Sequence, residues 1–192
     1  TNVGSSAVAN QNNQFLRNKV QDFYIYGFYA NGTFNMLLDG NDISRPTRTA
    51  TSTAAYAIYF TGLSTNARIN ANYIHSLYDA VTTTNNDAYG IYFTGVDALA
   101  GLENRVTNNV IYDIKSNGTL YGIYNSSSDN IFYYHNTISF DDATSTAVAA
   151  EVTRGFYQTT VAAGVEFKNN LVTLNRGGAT VQTGIYLAST AT

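Results

Sequence analysis

The residues of this chain that could do chemistry are few and scattered. Thirteen are Asp or Glu, and two are histidines, His75 and His135. Acid–base cleavage needs an acid and a base gathered around one bond, and two hydrolytic carboxylates must sit about 5–10 Å apart. Asp141-Asp142 is the one adjacent acidic pair, and it stands alone in a polar segment. Asp39 and Asp42 flank one asparagine and could meet a cation, but solvated turns have the same composition. The histidines occupy different places relative to the recurring asparagines described below, so a two-histidine metal site is not expected. Arg17, Arg68, Arg105, Arg154 and Arg176 are spread along the chain, and no basic groove is expected. No catalytic residue, metal ligand or cofactor is therefore assigned.

Two other residue types recur at fixed spacing. A small residue, an apolar residue and a tyrosine follow one another six times, ending at Tyr29, Tyr59, Tyr92, Tyr124, Tyr157 and Tyr186. The intervals are 30, 33, 32, 33 and 29 residues. Between these triplets stand Asn18, Asn41, Asn72, Asn109, Asn136 and Asn170. Each of these has an apolar or aromatic residue three positions before it (Phe15, Leu38, Ile69, Val106, Tyr133, Phe167). Two positions after it comes Val20, Ile43, Ile74, Ile111, Ile138 or Val172. Relative to these asparagines Asp79 and Asp113 lie at +7 and +4 on neighbouring repeats, the closest approach of two acids outside Asp141-Asp142.

Such a repeat dictates the elements that must position it. Each copy supplies three short strands: one before the Asn, one after it, and the tyrosine triplet. Thr, Asn and Gly are too frequent for helices, and no helical periodicity is present. Three strands per roughly 30-residue repeat give an all-β, right-handed parallel β-helix, a β-solenoid of about six coils of three short strands. A single coil could not bury enough apolar surface to offset the entropy of ordering it, so the coils must stack. The Asn is read as a corner residue in left-handed conformation, which side chains other than Asn adopt at a cost of about 1–2 kcal/mol. Stacked one coil above another, these amides form a structural ladder.

In the tyrosine strand, Ile or Phe is expected inside, with the small residue and the Tyr both outside. The six tyrosines then form one outward column. Its rings either protect and rigidify the sheet or offer a binding strip on which pyranose faces stack. The connections at 45–55, 78–88 and 141–153 vary most and read as solvated loops.

Bulk composition narrows the class. Charged residues are 12% and the net charge is −3 without a basic run, which argues against nucleic acid and anionic membranes as partners. No apolar run reaches the length of a membrane span, so no membrane insertion is expected. The chain has no Cys, which points to an exported protein stable without disulfides. Its one methionine is Met36, so residues 1–192 are expected to be a single β-helix segment cut from a longer repeat protein.

The coil pattern resembles the right-handed parallel β-helix, or pectin-lyase-like, superfamily. The phrases Asn108-Asn109-Val110-Ile111-Tyr112-Asp113-Ile114 and Leu120-Tyr121-Gly122-Ile123-Tyr124 resemble more narrowly the large secreted repeat proteins of Bacteroidota. Those are often type IX secretion substrates that act as surface adhesins. The resemblance implies an extracellular or bacterial cell-surface location. It implies a structural or adhesive module, with a glycan or other cell-surface ligand, flanking repeats or self-association as its partners. The superfamily also holds polysaccharide lyases and glycoside hydrolases, and the polygalacturonase set of Asn-Thr-Asp, Asp-Asp and Gly-His-Gly is not matched here. A carbohydrate-binding module is the third reading, and absence of catalysis is the expectation.

Overall fold

The computed structural model describes residues 10–188. Three parallel sheets wind around one core, and each sheet holds six strands, one from each repeat. Five steps separate the first strand of a sheet from the last, so the solenoid makes about five turns. The strands before the Asn run from Gln14–Leu16 to Glu166–Lys168, and those after it from Lys19–Gln21 to Leu171–Leu174. The tyrosine strands run from Tyr26–Asn31 to Val181–Ala188 and are the longest. Among the described residues the one helical element is a single 3-10 turn at Asp79–Val81, and no helix is long and apolar enough to cross a membrane.

Equivalent residues of successive repeats pair in register. Ile43, Ile74, Ile111 and Ile138 lie in one column, and all four are fully buried. Leu38, Ile69, Val106 and Tyr133 form the second inner column, and Ile58, Ile91, Ile123 and Phe156 the third. The column ends differ. Phe28 is only partly buried, and Ile185 in the last coil is 54% exposed. The backbone hydrogen bonds of the strands run between coils, so each strand depends on the coils above and below it. This is the stacking that a single coil's entropy cost requires.

Two local expectations are corrected. The left-handed corner residue is the one before each Asn, not the Asn itself. Arg17, Gly40, Ala71, Asn108, His135 and Asn169 all have φ between 52° and 65°. The reason is that the Asn must stay in ordinary geometry for its amide to reach along the solenoid axis. The corner strain falls on whatever residue precedes it. A second left-handed corner recurs six residues before the Asn, at Asn12, Asn35, Asn66, Asn130 and Gly164.

The small residue of the tyrosine triplet also points inward, not outward. Strand Leu120–Ser126 alternates except at Gly122-Ile123, where two successive residues are buried. A Cβ on Gly122 would lie 2.6 Å from the Gly155 carbonyl oxygen and 2.6 Å from Ile138 Cγ2. The strand therefore shifts its phase at this point, as a bulge does. All six coils carry the same shift, so pairing between them is preserved.

The variable connections are less solvated than their composition suggests. Arg45 and Tyr78 are buried, with the Arg45 guanidinium 4.8 Å from the Tyr78 ring centre and 5.5 Å from that of Phe23. Arg176 is buried too, and it donates to Ser145 Oγ at 3.2 Å, Thr153 Oγ1 at 2.8 Å and the Gly118 carbonyl at 2.7 Å. Short polar side chains bond from coil to coil here, as Ser116 Oγ does to the Asn86 carbonyl at 2.6 Å. An apolar–polar pattern does not show this kind of burial, because the buried groups are themselves polar.

Candidate functional site

The two recurring columns lie in opposite environments. The asparagines form a continuous ladder, buried from Asn41 to Asn136. The Nδ2 of Asn18, Asn41, Asn72, Asn109 and Asn136 donates to the Oδ1 of the next Asn at 2.8–2.9 Å. The backbone N–H of each donates to the same Oδ1 at 2.8–3.1 Å. From Asn41 onward the second Nδ2 hydrogen reaches a carbonyl of the preceding coil, for Asn109 that of Ile69 at 2.9 Å. The amides at the centre of the ladder thus use both donors and both acceptor positions, which is what a buried amide needs. From Asn41 to Asn136 the side-chain amides are consumed internally, so nothing remains there to meet a ligand.

The tyrosines face outward, and there are two columns of them. The triplet tyrosines stack regularly through Tyr29, Tyr59, Tyr92 and Tyr124, with ring centres 4.6–5.4 Å apart and planes within 20°. Three positions earlier, Tyr26, Tyr56, Tyr89 and Tyr121 form a second stack at 4.6–5.3 Å. The phase shift at the small residue is what places both columns outside. Between columns the rings stand edge to face, at 86° for Tyr56–Tyr59, 88° for Tyr89–Tyr92 and 90° for Tyr121–Tyr124. The result is a herringbone, which satisfies both favoured aromatic geometries at once.

In the fifth coil Arg154 replaces the earlier tyrosine. Tyr157 swings across to stack on Tyr121 at 5.4 Å. The Arg154 guanidinium lies 4.2 Å from the Tyr157 ring centre and 4.0 Å from that of Tyr186. Composition and triplet spacing reveal only the first column. The signal for the second is a Tyr three positions before the triplet Tyr in the first four repeats.

This packing changes what the face can do. In the middle of each column the ring faces are covered by the rings above and below. Pyranose stacking on open faces, the expected basis of a sugar-binding strip, is therefore not available there. What the surface presents is ring edges and phenol hydroxyls in rows. Burial, reinforced by neighbouring phenols, pushes the Tyr56 hydroxyl up to about 12. Burial likewise raises Tyr89, with Asp87 and the adjacent phenols adding to it, and Tyr124, with the adjacent phenols. Tyr56, Tyr89 and Tyr124 are accordingly neutral at physiological pH.

The remaining candidates are brought together unevenly. Asp79 and Asp113 share one cation, with Lys115 Nζ 3.4 and 3.1 Å from their Oδ1 atoms. Asp42 pairs with His75 Nε2 at 3.1 Å, and His75 Nδ1 lies 3.0 Å from Ser76 Oγ. His135 is exposed at its own corner. Asp39 accepts from Asn70 Nδ2 at 2.6 Å. Asp142 caps its own turn through Thr144 N at 3.0 Å. Arg68 and Arg105 stand side by side in register. With Leu37, Asp39, Asn70 and Thr107 they line a depression of about 410 Å³.

One acidic pair is legible only in the structure. Thr119 joins Asp87 and Glu151 at one end of the tyrosine sheet. Its N–H donates to Asp87 Oδ1 at 3.0 Å, and its hydroxyl to Glu151 Oε2 at 2.7 Å. Burial, aided by Glu151, raises the Asp87 carboxyl above its usual range against the Thr119 N–H bond. Among the described residues no three of His, Cys, Asp and Glu gather as metal ligands would.

Comparison with known proteins returns no matching family model, no matching curated protein and no matching solved structure.

Proposed function

We propose that this chain is a non-catalytic structural and adhesive β-helix module of a secreted or cell-surface protein, with the two-column tyrosine sheet as its contact surface. The observation that carries the reading is the contrast between sheets. The tyrosine strands hold only two charged residues in 45, Asp87 and Arg154, while the 20 residues of the strands before the Asn carry Asp39, Arg68, Arg105, Glu166 and Lys168, and the 20 of those after it carry Lys19 and Asp42. Contact surfaces are depleted of charge and enriched in Tyr and Arg. The resemblance to Bacteroidota repeat proteins supports the location and the adhesive role, and type IX secretion is the export route it suggests. The test is binding of fluorescent protein to bacterial cells and to a glycan array. Saturable binding that is lost in Tyr59→Ala/Tyr92→Ala, with the fold intact by circular dichroism, is the expected result. Binding unaffected by that pair of changes would remove the tyrosine sheet from the account.

A second reading, a polysaccharide hydrolase, rests on one observation, the raised Asp87 carboxyl beside Glu151. Both carboxylates bond to Thr119, and a pair of neighbouring carboxylates is the group that glycoside hydrolysis uses. Incubation with pectate, alginate and sulfated glycans, with and without calcium, separates the readings. The adhesive reading expects no new reducing ends and no unsaturated product. Turnover that disappears in Asp87→Asn or Glu151→Gln would replace it.

A further inference from the structure

We infer that the partner of the tyrosine sheet is a second copy of the same chain, so that two solenoids pair through these faces. The inference rests on the reading of this sheet as the contact surface and names what meets it. Three observations lead to it.

The first is geometric. The outward ridges repeat once per coil, at 4.6–5.4 Å between stacked rings. A partner can seat along the whole face only if it has the same axial repeat. A second copy has that repeat by construction. Columns of identical side chains from two facing sheets interdigitate in this way in paired-sheet assemblies, and stacked aromatics strengthen them.

The second is chemical. Because the herringbone covers the ring faces, the surface offers edges, hydroxyls and shallow furrows. Beside the triplet column runs a row of short side chains two positions on, Thr61, Thr94, Ser126 and Thr159. Tyrosine edges of one copy meet tyrosine edges of the other, and the rows of short hydroxyl side chains meet beside them. The hydroxyls on both sides can donate and accept, so neither face needs a charged complement.

The third is size. Tyrosine strands of eight residues span about 26 Å, and six strands at about 4.8 Å spacing span about 29 Å. The face therefore covers roughly 750 Å², close to the ~800 Å² per partner of a standard stable interface. A two-fold axis across the middle of the face pairs the third strand with the partner's fourth, so Tyr92 meets Tyr124. It also sets Arg154 of the fifth strand opposite Tyr56 and Tyr59 of the second.

Sedimentation velocity of the 192-residue chain over a wide concentration range tests this. A reversible monomer–dimer equilibrium is expected. Tyr92→Lys/Tyr124→Lys places like charges across the two-fold and should weaken pairing by about 100-fold, because like charges across an interface cost several kcal/mol. Tyr92→Glu/Tyr124→Glu should do the same, and an equal mixture of the two variants should pair again. Tyr92→Phe/Tyr124→Phe should still pair if a charged variant proves unfolded by circular dichroism. A wild-type chain that stays monomeric throughout would overturn the inference. So would dimers that ignore the charged pairs. A monomer that still binds cells through Tyr59 and Tyr92 would leave the adhesive module standing and remove only its self-pairing.

Discussion

Asn109 and Tyr124 belong to the same coil and to equally regular columns, yet the columns are built for opposite ends. Asn109 is fully buried and its amide is used up by Asn72, Asn136 and Ile69. Tyr124 stacks on Tyr92 at 4.6 Å and keeps its outer edge in solvent. Repetition alone therefore does not indicate a binding surface. What separates a structural column from a contact column is whether its polar groups are satisfied within the molecule. The inner ladder fixes corner geometry and coil spacing. The outer herringbone inherits that spacing and displays it.

The largest effect should come from breaking the inner ladder. Asn109→Val removes the acceptor for both the N–H and the side-chain amide of Asn72, and takes from Asn136 Oδ1 one of its two donors. Each unsatisfied buried group costs about 1–3 kcal/mol, so a loss of about 3 kcal/mol or more is expected. Chemical denaturation measures it, and an unchanged midpoint would dissolve the distinction between the columns. Next comes Gly122→Val in the same strand as Tyr124. Its side chain would meet the Gly155 carbonyl and Ile138, and overpacking of this kind costs about 1–3 kcal/mol. Had the residue faced outward, the substitution would be neutral or stabilising.

Tyr124→Ala should cost less, about 1 kcal/mol, because it removes aromatic pairing from a half-exposed site. The smallest effect near neutral pH is the ionisation of the outer rows. Tyr56, Tyr89 and Tyr124 are raised above 10 in the folded chain, and unfolded tyrosines titrate near pH 10. A raised pKa contributes stability that is complete below about pH 10 and is lost as pH rises through the folded value, about 12 for Tyr56. Thermal melts should be flat with pH near neutrality and fall steeply above about 10. Phenolate absorbance should lag behind that of a model tyrosine peptide until unfolding.

Much of the solenoid was legible because its signals repeat. Residues at −3 and +2 from each Asn marked two inner columns, and the triplet marked the third. The corner was misread by one residue because Asn is both the best side chain for left-handed backbone and the best ladder former. Only the second role is used at Asn18, Asn41, Asn72, Asn109, Asn136 and Asn170, while Ala71 and His135 carry the strained angles. Strict alternation placed Gly122 outside, and a shift shared by all coils leaves no mismatch to betray it. The second tyrosine column followed from that shift. The Asp87–Thr119–Glu151 bridge could not be read from spacing, because the connections that form it differ in length from coil to coil.

The central claim is that the tyrosine sheet is where one copy of this module meets another. Hydroxyl-radical footprinting of the chain at low and high concentration, read tyrosine by tyrosine, tests it directly. Protection should rise at Tyr59, Tyr89, Tyr92 and Tyr124, and stay constant at Tyr73, Tyr112 and Tyr134 on the other two sheets. Protection that is uniform, or that rises on those other sheets while the tyrosine sheet stays open, would contradict it.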